Sequence, residues 1–163
     1  MWYQSFKFYD RHSPATPDDI TAFRTPLPEA ERANALNYLE SYAAQLSATG
    51  YCLPTHFYIP DELMQLWQYS VHGGITGNGQ DFGYFSPTET VSYYFSYQFW
   101  HYAPNLLPIA FDGGGVFYCY DFGQPSPLIV MKDSGSDNLG VPVGSSLAEL
   151  NRSEERRVGK ECR

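Results

Sequence analysis

Residues 106–121 read LLPIAFDGGGVFYCYD, two apolar segments joined by three successive glycines. Each segment is rich in aliphatic and aromatic residues, a composition that favours β-strands. Glycine supplies the positive φ that a tight turn between twisted strands requires. The stretch therefore predicts a β-hairpin with strands at Leu106–Phe111 and Gly115–Tyr120.

Further strands are expected on both sides of this hairpin. Leu128–Lys132 follows the turn sequence QPSP, which makes three consecutive strands of an antiparallel meander. Upstream, Asp81–Phe85 and Trp2–Tyr9 have the composition of strands, and the latter shows an aromatic pattern of period two. Residues 133–144 are polar and rich in glycine, and they predict a loop.

Helix-start signals recur along the chain as capping side chains, prolines in the first turn and acidic residues near the positive end of the helix dipole. They predict helices from Pro17 to Pro26 and from Pro60 to His72, and a short helix that begins at Ser146. The helical spacing of Leu36, Leu39, Ala43 and Leu46 predicts a further helix from Pro28 to Ser47. In the helix that begins at Pro60, the expected buried stripe is Leu63, Leu66, Trp67 and Val71, and Gly73 and Gly74 are expected to end it.

Residues 87–102 fit two patterns. The alternation of Val91, Tyr93 and Phe95 suits a strand. The preceding segment Ser86–Glu89 is a capping box with proline at the first helical position, and this chemistry is local and specific. We therefore predict a helix over 87–102.

Together these elements predict an α+β fold, an antiparallel sheet with helices packed around it. The length of 163 residues fits one domain with one core. Apolar runs stay far below the roughly 20 residues that span a bilayer. The N-terminus lacks the basic and apolar regions of a secretory signal, so we expect none.

Residues 152–163 differ from the rest of the chain. They carry eight charges and, apart from Cys162, one apolar side chain. This segment resembles the translation of a common sequencing-adapter oligonucleotide. We therefore expect a non-native, disordered tail and a native C-terminus that is missing after residue 151. The alternative is a solvated basic tail that contacts a partner.

The charge balance is strongly acidic outside this tail. The last twelve residues hold five of the ten basic and three of the eighteen acidic residues. Five basic and fifteen acidic residues therefore remain in 1–151, a net charge of -10. Such a body repels phosphate backbones and anionic lipid heads. We expect a basic protein partner, and neither nucleic acid nor a membrane.

Cysteine and histidine give no sign of a metal or cofactor site. Cys52, Cys119 and Cys162 form no CxxC pair, and their number is odd. We interpret them as reduced thiols of a cytoplasmic protein. The four histidines are scattered without HxH or HExxH spacing.

Three constellations could carry catalysis, and each has a simpler interpretation. Cys52 and His56 could form a thiol–base pair, but Pro54 lies between them and nothing fixes their geometry. Asp112–Gly115 could cradle a phosphate, yet a strand pattern follows it and no basic residue is near, so a hairpin turn is favoured. Asp112 and Asp121 could act as a carboxylate pair, or as two exposed turn residues.

Aromatic residues occur on both faces of the helix predicted over 87–102. One face belongs to the core, and the other exposes Tyr93, Tyr97 and Trp100 unless further elements cover it. Tyrosine and tryptophan are enriched at protein interfaces. The candidate partner-binding residues are therefore these three together with Asp81 and Asp121.

The region from Tyr51 to Leu150 resembles the SMI1/KNR4 (SUKH) domain. The resemblance rests on Tyr51–Pro54, Pro60–Leu63, His72–Gly74, Ser86–Glu89, Leu107–Asp121 and Ser145–Leu150, of which Leu107–Asp121 is the most specific. It implies an α+β domain with its core at 51–151, to which residues 1–50 add a strand and helices. The usual Asn-Gly-Gly is His72-Gly73-Gly74 here.

Many proteins of this family are immunity proteins that neutralise a bacterial toxin in the cytoplasm, and others are regulatory or scaffold domains. The resemblance therefore implies a non-enzymatic binding protein, which here would cover a basic toxin site with an acidic, aromatic surface. The alternatives are a regulatory module or a small hydrolase or nucleotide-binding enzyme centred on Asp112–Gly115. This enzyme would need a concave pocket with convergent polar groups at that place.

Overall fold

The computed structural model describes residues 1–24, 59–77, 80–123, 128–134 and 140–149, together with five positions between 29 and 37. Those five positions are helical, and the rest of the helix predicted over 28–47 lies outside the described residues. The same is true of Cys52, of His56 and of the tail at 152–163.

The described strands form one antiparallel sheet in which the strand order follows the chain. The strands are β1 Lys7–Arg11, β2 Gly73–Gly77, β3 Gln80–Tyr84, β4 Leu106–Phe111, β5 Val116–Asp121, β6 Leu128–Asp133 and β7 Val141–Gly144. The described helices are a 3-10 helix at Trp2–Ser5, α1 Pro17–Arg24, α2 Asp61–Tyr69, α3 Pro87–Ser96 and α4 Phe99–Tyr102, followed by a helical turn at 147–149. The predicted α+β class with an antiparallel sheet is confirmed.

The central strands are covered on both faces. Five of the six residues of β4 and four of the six of β5 are buried. On β5, the ring of Phe117 packs on Phe99 of α4, whereas the hydroxyl of Tyr120 contacts Glu62 of α2. Positions 117 and 120 face opposite sides because successive strand side chains alternate. The near-continuous apolar sequence of these strands follows from this double burial.

Helix α2 is anchored by its apolar stripe. Leu63, Leu66 and Trp67 are fully buried, as their helical spacing predicts. The indole Nε1 of Trp67 donates a 2.8 Å hydrogen bond to the carbonyl of Phe85 and so ties the helix to the end of β3. The helix ends at Tyr69, however, so Val71 lies beyond it and is only half-buried.

The structure corrects two predictions, the strand at the N-terminus and the role of Gly73 and Gly74. Trp2–Ser5 forms a 3-10 helix, and the first strand begins only at Lys7. The indole of Trp2 donates to the carbonyl of Glu62, a contact 60 residues away that the local alternation cannot reveal. Gly73–Gly77 forms β2, although glycine is a poor strand former and was expected only to end a helix.

The expected loop at 133–144 is also wrong in part. Val141–Gly144 forms β7 at the edge of the sheet, paired with β6. Pro142 weakens a strand prediction, but proline is tolerated on an edge strand, where one side of the backbone needs no partner. The preceding strand extends to Asp133.

The predicted helix over 87–102 is confirmed with one break. The capping box forms as expected, since Ser86 Oγ accepts from the Glu89 amide at 3.2 Å and the Ser86 amide donates to Glu89 Oε2 at 2.8 Å. Helix α3 ends at Ser96, and Gln98 adopts a left-handed conformation with φ 55° before α4 begins. The break changes which aromatic residues reach the core.

Candidate functional site

A cleft of about 440 Å³ opens where β1, β2 and β3 meet the start of α3 and the end of β4. We call it the acidic cleft. It is lined by Tyr9, Asp10, His72, Gly73, Asp81, Gly83, Tyr84, Phe85, Glu89, Tyr93, Phe111, Asp112 and Gly113.

Four carboxylates from four elements line the acidic cleft. Asp10 comes from β1, Asp81 from β3, Glu89 from α3 and Asp112 from the turn after β4. No lysine or arginine is among the described residues of its lining. The field in the cleft therefore favours a cation.

Hydrogen bonds orient these carboxylates. Asp81 Oδ1 accepts from the Thr76 hydroxyl at 3.0 Å, and Asp10 Oδ2 lies 3.1 Å from Nε2 of His12. The side chains of Asp10 and His12 are 53% and 40% exposed, so this pair is open to water and contributes little to stability. The Glu89 carboxylate completes the capping box of α3. These groups are held in place but remain at the surface.

Aromatic rings form the other part of the wall. Phe85 and Tyr93 stack with ring centroids 4.4 Å apart, and the ring of Tyr97, which lies outside the cleft lining, is 5.7 Å from that of Tyr93. Burial raises the pKa of Tyr84 to about 12, and its hydroxyl donates to the carbonyl of Ser70. Burial, with Asp81 and Asp10 nearby, also raises the pKa of Tyr9. Both phenols therefore stay neutral at physiological pH.

The structure separates the three candidate aromatic residues. Tyr97 is 47% exposed, Tyr93 is half-buried in the cleft wall, and Trp100 is only 8% exposed. The prediction that Trp100 is exposed is therefore wrong. The left-handed conformation of Gln98 changes the direction of the chain before α4, so Phe99 and Trp100 are buried in the core. The prediction that the three residues share one exposed face holds only for an uninterrupted helix.

The two candidate carboxylates lie at different ends of the sheet. Asp81 lines the acidic cleft, while Asp121 pairs with Leu106 and Leu128 at the far end of β5. Its Oδ1 accepts from the amide of Gly123 at 2.8 Å, as in a turn. Asp112 and Asp121 are separated by the full length of β5, about 17 Å at 3.4 Å per residue. Asp112 and Asp121 are therefore too far apart to act as a carboxylate pair.

The glycine segment is a hairpin turn, as predicted. Asp112 Oδ1 accepts from the amides of Gly114 at 2.7 Å and Val116 at 3.1 Å, and Gly113 has φ 81°. These two amides are used by the Asp112 carboxylate inside the turn and are not available to a bound phosphate. The hairpin nevertheless forms one wall of a concave site, the feature that the enzyme alternative requires. That site offers carboxylates, and the described lining holds no lysine or arginine that would hold a phosphate.

The sequence prediction missed Tyr9, Asp10 and Glu89. The sequence explains Glu89 only as a cap and Tyr9 only as the last residue of a strand, and it gives Asp10 no role. Tyr9 and Asp10 reach the cleft through the pairing of β1 with β2 across more than sixty positions of the chain. No local pattern could have indicated it.

Among the described residues, Cys119 has a structural role. Cys119 is fully buried, and burial raises the pKa of its thiol, so it remains protonated. The described residues contain no group of three or more histidine, cysteine or acidic side chains arranged to hold a metal ion. In the described part of the chain no helix has the length and apolar character needed to cross a membrane.

A scan against protein-family models found no match for the chain, and a search of curated proteins found no matching relative. The resemblance to the SMI1/KNR4 domain therefore stays a prediction that rests on the quoted motifs. Functional inference depends on the geometry and charge of the acidic cleft.

Proposed function

We propose that this chain is a non-enzymatic protein-binding domain whose acidic cleft receives a cationic segment of a basic protein. The observation that carries the proposal is the convergence of four carboxylates and several aromatic rings in one concave site. A volume of about 440 Å³ lies within the range of sites that bind a side chain or a small ligand.

Charge and aromatic character act at different stages of binding. Residues 1–151 carry a net charge of -10, which steers a basic partner toward the protein over long distances. Once the partner arrives, Tyr93 and Tyr97 offer rigid rings that are partly open to solvent. The same charge disfavours nucleic acid and anionic membranes as partners.

We further propose that the partner is a bacterial toxin domain and that the chain is its cytoplasmic immunity protein. The motif resemblance and the acidic surface support this proposal. Inhibition would follow from occlusion, because a basic toxin segment that occupies the acidic cleft is no longer free to bind an anionic substrate. The motifs fit a regulatory or scaffold module equally well. A toxin gene beside the gene for this chain would favour immunity.

Binding to a short peptide of alternating arginine and glycine tests the cleft directly. We expect saturable binding that weakens at least tenfold between about 0.05 M and about 0.5 M salt, because screening removes the steering field. A matched peptide with glutamate in place of arginine should not bind. Binding of a nucleotide with hydrolysis, and no binding of the basic peptide, would favour the enzyme alternative.

A charge-neutralising pair of variants locates the binding site. Asp81→Asn with Glu89→Gln keeps the shape and hydrogen-bond acceptors of the cleft but removes two charges. We expect about a tenfold loss of affinity. Asp121→Asn is the matched control, since it removes a charge at the far end of the sheet. An equal loss per charge in the control would show that net charge, and not the cleft, determines binding.

A further inference from the structure

Tyr9 has an unusual position in the sheet. In the pairing of β1 with β2, Phe8 lies opposite Ile75 and Asp10 lies opposite Gly74, so the register shifts between Phe8 and Asp10. Tyr9 is the extra residue of this bulge. A bulge re-aims a side chain relative to a regular strand, and bulges are frequent next to functional sites. Here the re-aimed side chain lines the acidic cleft.

Gly74 provides the space that the Tyr9 ring occupies. A Cβ atom at position 74 would stand 2.5 Å from the hydroxyl oxygen of Tyr9 and even closer to its Cζ and Cε2 atoms. Such separations are far inside van der Waals contact. The ring can therefore lie over the backbone of β2 only because residue 74 has no side chain.

The ring is poised to meet a cation. Tyr9 is 55% exposed, and Asp10 and Asp81 both line the cleft beside it. A cation placed on this ring gains the attraction of the aromatic face and of nearby carboxylates. The chain already uses this contact elsewhere, since the guanidinium of Arg11 lies 4.1 Å from the ring centroid of Tyr69.

We propose that Tyr9 is the specificity-determining residue of the acidic cleft, on whose ring the partner's cationic side chain packs. Gly74 is its positioning residue, because any larger side chain there displaces the ring. This inference rests on the proposed function and names the group in the cleft on which the partner's cation packs.

Gly74→Ala is the direct test, with the arginine–glycine peptide as the probe. The atoms that the new methyl group meets are at the free end of an exposed side chain, so the ring can swing away and the fold should persist. We expect about a tenfold loss of peptide affinity with little change in melting temperature. Tyr9→Ala should lose as much, and Tyr9→Phe, which keeps the ring, should bind like the wild type.

Two further variants separate displacement of the ring from general damage to the cleft. Gly83→Ala is the matched control, because Gly83 also lines the cleft and its Cβ would lie an ordinary 3.5 Å from the carbonyl oxygen of Phe111. Because it leaves the Tyr9 ring in place, it should lose clearly less affinity than Gly74→Ala. The double variant Tyr9→Ala with Gly74→Ala should bind no worse than Tyr9→Ala alone, since the ring is already absent.

The outcomes distinguish the inference from the proposed function. If the wild type binds the peptide and Tyr9→Ala binds equally well, the role of Tyr9 is refuted and the acidic cleft stands. If Gly74→Ala weakens binding in the absence of the Tyr9 ring as well, Gly74 does not act by positioning that ring. If the wild type does not bind the peptide, the proposed function fails and the inference fails with it.

Discussion

The two ends of the central strands use carboxylates in opposite ways. At one end lies the acidic cleft, where Asp81 and Glu89 are exposed. At the other end Glu62 of α2 is half-buried, and each of its carboxylate oxygens accepts one hydrogen bond. Tyr120 donates to Oε1 at 2.6 Å and the amide of Leu147 to Oε2 at 2.8 Å.

We call this second region the Glu62 corner, which comprises Glu62, Tyr120, Leu147 and Trp2. It joins the 3-10 helix, α2, β5 and the turn at 147–149, since Trp2 also donates to the backbone carbonyl of Glu62. The comparison shows that an acidic residue stabilises the fold where internal donors satisfy it. Where such a residue remains open to solvent, as in the acidic cleft, we propose that it serves binding.

Glu62→Ala should give the largest effect. It leaves the buried hydroxyl of Tyr120 and the amide of Leu147 without their acceptor, so we expect a loss of about 3 kcal/mol in the free energy of unfolding. Urea denaturation measures this loss. Peptide affinity of the folded variant should not change. A loss of affinity without a loss of stability would reverse the roles assigned to the two regions.

The next largest effect on stability is expected in the turn that joins β4 to β5. Gly113 has φ 81° and open space around its Cβ position, so Gly113→Ala costs only conformational energy, about 1 kcal/mol. Gly114→Ala is the control, because Gly114 has no positive φ and its Cβ would only touch the Asp112 carboxylate at 3.5 Å. Equal melting temperatures for the two variants would contradict this account of the turn.

The pH dependence of stability separates the two regions further. Burial raises the pKa of Glu62 above its ordinary value of 4.5, and this outweighs the two hydrogen bonds that lower it. The folded state therefore binds the proton of Glu62 more tightly than the unfolded state does. The resulting stabilisation is full below the ordinary pKa and is lost as pH rises through the folded pKa.

Glu62→Gln removes this titration. We expect the stability of the wild type relative to this variant to fall as pH rises from about 4 toward 7, as measured by urea denaturation at each pH. A difference between the two proteins that is independent of pH would contradict the raised pKa.

The smallest effect on stability belongs to the cleft itself. Asp81→Asn with Glu89→Gln should change the free energy of unfolding by no more than about 0.5 kcal/mol, since both groups are exposed. The same pair should reduce peptide affinity as described above. A large loss of stability would mean that these carboxylates, like Glu62, support the fold.

Strong local signals predicted most of the elements. The capping box at Ser86–Glu89 outweighed a strand-like alternation because its hydrogen bonds form within one turn. The glycine turn after Asp112 was equally local. The predictions were wrong where a long-range contact decided the conformation, as for Trp2, or where an edge tolerated an unfavourable residue, as for Pro142.

The candidate site was predicted less completely. The sequence indicated Asp81 and Tyr93 as surface groups of one partner site, and both line the acidic cleft. It also placed Trp100 and Asp121 in that site, yet one is buried and the other lies at the opposite end of β5. Faces of a helix can be assigned only if the helix is continuous, and the turn at Gln98 is not encoded in any glycine or proline signal.

The sequence alone is enough to predict the hairpin, the capped helices and the apolar stripe of α2, because each depends on neighbours within a few positions, and its composition gives the acidic charge. Which carboxylates converge depends on the tertiary structure. The Tyr9 ring in the bulge lies over Gly74, which has no side chain, because two strands more than sixty residues apart in the chain pair with each other. Such pairing depends on how the whole sheet buries its apolar faces, and no local pattern records it.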